Sequence, residues 1–170
     1  MEIRKVNFTE IDNVLNVYQS CVEQHKKIGF NQWDSNYPNK EIVLTDIQKG
    51  WLYALCNDQK RIVGVISITK DEPKEYSGVS WEDTSTNYFI IHRLCVSENS
   101  LRKGYAKDLM EFAEQLAIGK NLKSIRLDTF SLNEGALSFY RRLDYREVGK
   151  VFFEKRKDSD YTCFEKLLNF

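Results

Sequence analysis

Between Tyr88 and Ala117 the hydrophobic pattern changes period once, and that change restricts the possible folds more than any other stretch. Tyr88-Phe89-Ile90-Ile91-His92-Arg93-Leu94-Cys95-Val96 is rich in β-branched and aromatic residues and predicts a strand. Ala106, Leu109, Met110, Ala113, Leu116 and Ala117 then recur at helical spacing. Lys123-Ser124-Ile125-Arg126-Leu127-Asp128 predicts the next strand. A strand that feeds a helix and returns beside itself does so in parallel, by a right-handed crossover. The chain must therefore contain a strand-turn-helix-strand unit.

The turn inside that unit, Val96 to Ala106, has the makings of an anion site. The first turn of a helix offers unpaired backbone N–H groups at the positive end of its macrodipole. Gly104 and Ala106 keep the mouth narrow and open, and Arg102, Lys103 and Lys107 surround it with positive charge. That suits a pyrophosphate better than a neutral ligand. Taken alone, a glycine-bearing turn is more often an ordinary connection than a ligand site.

The remaining segments alternate. Ile3–Val6 predicts a strand, and Ile11, Val14, Leu15, Tyr18 and Val22 mark a helix ending near Lys27. An aromatic loop, residues 29–38, precedes a second helix capped by Asn39 and stopped at Gly50. Residues 51–56 and 61–70 predict a hairpin, 71–86 a polar excursion, and 133–143 a short helix. Two closing strands, residues 145–155 and 161–168, flank the turn Lys157–Asp160.

With 170 residues, 42% of them hydrophobic, one domain over 1–170 is expected. Lys plus Arg and Asp plus Glu each total 25, so no overall field favours nucleic acid or an anionic membrane. The sequence has no apolar run of bilayer length, and its start lacks the apolar segment of a secretion signal, so a cytoplasmic location is expected. Cys21, Cys56, Cys95 and Cys163 have no metal-ligand spacing, no metal is expected, and all four read as reduced packing residues.

Two separated motifs resemble the GNAT family of N-acetyltransferases. Leu101-Arg102-Lys103-Gly104-Tyr105-Ala106 fills the family's acetyl-CoA frame, Gln or Arg, two residues, Gly, one residue, Gly or Ala. Leu101 stands where Gln or Arg is usual, a position that works chiefly through its backbone. Asn133 to Tyr145 resembles the second motif, Asn, Ala, an aromatic-Tyr pair and a terminal Gly-Phe, with Asp144-Tyr145 at its end instead. The resemblance implies a single GNAT-like domain of α/β (α+β) class. Its central sheet would be mixed and mostly antiparallel, of about six to seven strands with a splayed parallel pair, flanked by about four helices.

It also implies acetyl-CoA as co-substrate and a primary amine as acceptor. Acetyl transfer to an amine needs a neutral amine, a donor for the developing oxyanion and an acid for the departing thiolate. By the resemblance, the Leu94 backbone N–H polarises the acetyl carbonyl, Cys95 and Val96 line the pantetheine arm, and Tyr140 is the acid beside Phe139. Asn133 would hold the arm or place the amine. His92 is the candidate base, because strand alternation sets it on the face of Ile90 and Leu94. The alternatives are a hydrogen-bonded strand histidine and, for Tyr140, a core aromatic.

Trp33 and Tyr37 are candidate acceptor-site walls, or else seal helix ends. Asp128 and Thr129 read as a bridge between elements, and His25 as surface. The competing function is a CoA or acyl-CoA sensor that does no chemistry. Either a monomer or a homodimer is compatible, with Phe152, Phe153 and Phe164 of the closing strands as a possible pairing face.

Overall fold

A computed structural model describes residues 1–30, 33–34, 36–154 and 159–168. Seven strands lie in the order β1-β2-β3-β4-β5-β7-β6. The chain divides into two units, Met1–Ile68 with Arg93–Ala113, and Thr69–His92 with Glu114–Phe170. Strand β4 (Tyr88–Val96) runs through both.

The first unit holds β1 (Glu2–Lys5), α1 (Ile11–Lys27), α2 (Lys40–Gln48), β2 (Leu52–Cys56) and β3 (Ile62–Thr69). β1 pairs antiparallel with β2, and β2 with β3. Helix α1 forms because Val14, Val17, Tyr18, Cys21 and Val22 make one buried stripe, while Lys26 and Lys27 in its last turn complement the macrodipole. The stripe packs on Trp33, Val43, Ile47, Leu52, Ala54, Val65 and Cys95. Asn39 caps α2 as expected, its Oδ1 accepting the Ile42 N–H at 3.1 Å. At Gly64 an added Cβ would lie 3.1 Å from Leu109 Cδ1 and 3.3 Å from the Cys95 carbonyl, so only glycine admits this approach of strand and helix.

The second unit holds the start of β4, then β5 (Ser124–Phe130), α4 (Glu134–Arg142), β6 (Arg146–Val151) and β7 (Tyr161–Leu167). β4 and β5 are parallel, as the crossover through α3 (Tyr105–Ile118) requires. β7 pairs antiparallel with both β5 and β6. The turn expected at Lys157–Asp160, like the strand end at Lys155, lies largely outside the described residues.

Polar composition concealed the order of residues 71–87. Tyr76 is buried and donates its hydroxyl to Asp128 Oδ1 at 2.7 Å. Arg126, on β5, is 3% exposed and pairs with Glu165 of β7 at 3.1 Å and Glu72 at 3.2 Å. Its guanidinium lies 4.4 Å from the Trp81 ring centre and 3.7 Å from that of Tyr88. Glu165 in turn accepts the Glu82 N–H at 2.6 Å and the Ser124 hydroxyl at 3.0 Å. The excursion is thus fastened by one buried ion-pair network.

The pairing face expected at the closing strands needs correction. Phe164 is fully buried against Tyr140, and Phe153 packs on Tyr161, which leaves only Phe152 exposed. β7 is an interior strand, so Phe164 serves the core.

Candidate active site

The turn from β4 to α3 belongs wholly to the first unit. Ser97 is tied to β3 through its N–H, which donates to the Val63 carbonyl at 2.9 Å, and the Glu98 N–H donates to Ser20 Oγ at 2.9 Å. Residues 98–100 then form a 3-10 turn. Arg102 (φ +59°) and Gly104 (φ +85°) both adopt left-handed backbone. Around Gly104 nothing lies within 4 Å of where a Cβ would stand, so its outward side is open. The first helical bond of α3 follows, Asp108 N–H to the Gly104 carbonyl at 3.0 Å. Leu101, Arg102, Lys103 and Lys107 are exposed, and Tyr105 and Ala106 are half-buried. An open left-handed turn, a fourteen-residue helix start and three exposed cations fit a diphosphate.

Upstream, β4 is irregular where the chemistry is expected. Its parallel ladder with β5 runs from Tyr88–Ser124 to Ile91–Leu127. Arg93 then has φ +50°, in the left-handed region that a non-glycine residue enters at a cost of about 1–3 kcal/mol. The expectation that His92 shares a face with Leu94 assumed unbroken alternation, which a left-handed residue between them interrupts. His92 is half-buried in the second unit; Leu94 is half-buried in the first.

Cys95 and Cys21 are not the reduced packing residues expected. They form a disulfide that ties α1 to β4, with Cα atoms 6.6 Å apart. The Cys95 side chain is therefore committed to α1, and only its backbone is left for a ligand. Val96 beside it is buried. Cys56 and Cys163 are buried free thiols, and burial pushes the Cys163 thiol up to about 12.

In the second unit, Asn133 caps α4 by accepting the Ala136 N–H at 3.0 Å. That occupies its side-chain oxygen and leaves the amide NH₂ as its donor. Asp144, where the family frame has glycine, takes the left-handed helix-exit conformation itself (φ +63°). Tyr140 is buried among Phe139, Tyr145 and Phe164, with ring centres 5.2, 6.1 and 5.6 Å away. Burial, reinforced by the charge of Asp128, holds its phenol well above the usual tyrosine range. Phe139 is half-buried.

Trp33 is buried against Tyr18, His25 and Tyr37, at ring-centre distances of 5.7, 5.7 and 6.5 Å. His25 is thus half-buried rather than on the surface, and burial lowers its pKa. Beside these rings lies a cluster that sequence reasoning missed. The Arg93 guanidinium donates to Asp46 Oδ2 at 2.6 Å, Ser67 Oγ at 3.2 Å and the Tyr37 oxygen at 3.4 Å. Asp46 is 3% exposed on a helix face that otherwise buries Val43 and Ile47. A carboxylate at an inward helix position was the available signal.

A sequence model of the Acetyltransferase (GNAT) family matches residues 12–145, and the chain belongs to that family. It is similar to a Bacillus subtilis (strain 168) protein named uncharacterized N-acetyltransferase YesJ, with 24% identity over 94% of this chain and 86% of that one. Among solved structures, it is similar to a GNAT-family acetyltransferase of Streptococcus agalactiae 2603. The TM-score is 0.84 at 22% identity, covering 99% of this chain and 96% of that one. Another, from Listeria monocytogenes 4b F2365, gives 0.78 at 22% identity over 98% and 94%. These likenesses show the fold, which in this chain, among the described residues, is a mixed seven-stranded sheet with a parallel β4–β5 pair and four helices.

Proposed function

We propose that the protein is an acetyl-CoA-dependent N-acetyltransferase that moves an acetyl group to a primary amine directly, in a ternary complex. The observation that carries this is the open left-handed turn at Arg102–Gly104, in a chain whose family match spans residues of both units. Residues 1–170 act in this reading as one acetyltransferase domain.

Bound acetyl-CoA supplies an activated thioester. The N–H groups of residues 103–106, with Arg102, Lys103 and Lys107, bind its diphosphate. The backbone of Cys95 and Val96 lines the arm, and the Leu94 N–H is the donor to the carbonyl oxygen. The Asn133 amide donates to the arm, and Phe139 covers it. Tyr140 holds its proton across the neutral range, because burial raises its pKa, and presents that proton to the leaving sulfur. His92 takes the amine proton directly or through water. Trp33 and Tyr37 wall the acceptor. No acyl-cysteine forms at Cys95, since its Sγ is bonded to Cys21 Sγ.

Gly104→Val tests the donor site. A β-branched residue cannot hold φ +85° without strain of about 1–3 kcal/mol, so the turn reshapes and its N–H groups lose their aim. CoA affinity, read by calorimetric titration, is expected to fall about tenfold or more. Unchanged affinity would place the diphosphate elsewhere.

A further inference from the structure

The parallel ladder between β4 and β5 ends at the pair Ile91–Leu127. The next residues along the two strands, His92 and Asp128, therefore stand opposite each other where the pairing stops. Both belong to the second unit, and both side chains belong to one face of the sheet. Tyr88 and Arg126 define that face, since the guanidinium lies 3.7 Å from the ring centre. Strand alternation carries it from Tyr88 through Ile90 to His92, and from Arg126 to Asp128. The left-handed residue Arg93 comes only after His92. An imidazole and a carboxylate thus share the end of the ladder, at a strand spacing of about 5 Å that widens as the strands part.

The carboxylate is held in place. Tyr76, 1% exposed, donates its hydroxyl to Asp128 Oδ1 at 2.7 Å, and burial together with the charge of Asp128 keeps that phenol protonated. The same charge reaches Tyr140, whose phenol is raised by burial first and by Asp128 second. The base and the acid of the proposed reaction are both neighbours of this one carboxylate.

The chemistry of the acceptor gives it a task. An alkyl amine resembles the lysine side chain, with a pKa of about 10.4, so at neutral pH it arrives as an ammonium. A carboxylate binds that form through a charge-assisted hydrogen bond, which a neutral wall cannot offer. The proton must then leave. The N–H bond breaks, His92 takes the proton on a ring nitrogen, and the electron pair stays on the amine nitrogen for attack on the acetyl carbonyl carbon. The imidazolium so formed faces the same carboxylate, which stabilises it.

We propose that Asp128, oriented by Tyr76 and placed opposite His92, is the residue that binds the ammonium of the acceptor. This rests on the acetyltransferase reading. It gives Asp128 a part in the reaction beyond bridging two elements of the fold.

Asp128→Asn tests the charge alone, because the amide oxygen can still accept the Tyr76 hydroxyl. With phenethylamine as acceptor, the amine KM is expected to rise about tenfold or more while the KM for acetyl-CoA stays unchanged. An unchanged amine KM overturns the proposal, and so does an equal rise for both substrates. KM does not depend on the folded fraction, so a partly folded variant is still decisive. A calorimetric titration of the protein–CoA complex needs no turnover. Phenethylamine is expected to bind about tenfold or more tighter than 2-phenylethanol, its uncharged counterpart, and Asp128→Asn to bring the two together. No preference for the amine in the parent, or a preference that survives the substitution, overturns the proposal. Failure of the acetyltransferase reading shows differently, as acetyl-CoA left intact by every primary amine tried, and the titration then decides on Asp128 by itself.

Discussion

Arg126→Leu should lower the unfolding free energy by about 3–5 kcal/mol, the usual cost of removing one member of a buried ion pair. The substitution leaves Glu165, 2% exposed, without its countercharge. It also removes the guanidinium between Trp81 and Tyr88 and a partner of Glu72, so the 71–87 excursion loses its fastening. For a chain of this size the loss corresponds to a fall in Tm of about 6–20 °C, measurable by circular dichroism. Arg126→Leu combined with Glu165→Leu should recover part of that loss, because a buried pair replaced by apolar groups is often nearly neutral. Recovery stays incomplete, since Glu165 also accepts the Glu82 N–H and the Ser124 hydroxyl. A single variant as stable as the parent would mean that the network holds nothing in place.

Tyr140→Phe should reduce kcat about 100-fold or more, within the range for loss of a general acid. The ring stays, so its packing with Phe139, Tyr145 and Phe164 is kept and stability should change little. CoA affinity should also stay close to that of the parent, which separates loss of chemistry from loss of binding. The pH dependence has a definite sign. A phenol held above its ordinary value keeps its proton as pH rises, so no loss of activity assignable to Tyr140 should occur below about pH 10. Full turnover in the variant would make Tyr140 a core aromatic.

What could be read in advance depended on how local its cause was. The α1 stripe, the Asn39 cap, the left-handed Gly50 after α2 and the Gly104 turn each arise from neighbours within a few residues, and the sequence shows them directly. The parallel β4–β5 pair follows from chain connectivity. The Cys21–Cys95 disulfide does not, because 74 residues separate its halves and neither stands in a recognisable spacing. The left-handed Arg93 carries no glycine to announce it, which is why simple alternation misjudged the stretch around His92. The Arg126–Glu165 pair had a weak signal in retrospect. Each is a charge at an inward position of an apolar strand, and the two are direct register partners. Nothing in the separate strands indicates which charge meets which.

Among the described residues no helix is long and apolar enough to cross a membrane, and no group of three or more potential ligand side chains could hold a metal ion. The proposed reaction rests on the turn at 101–107, the backbone of β4 and the side chains of Tyr140 and His92. Its most direct test is the amine dependence of thioester loss. Acetyl-CoA is mixed with the protein, with and without a panel of primary amines, and free CoA is followed by thiol titration alongside mass analysis of the amines. The account predicts CoA release only when an amine is present, matched mole for mole by acetylated amine. Tight CoA binding with no amine-dependent release across the panel would contradict it and make the protein a CoA sensor.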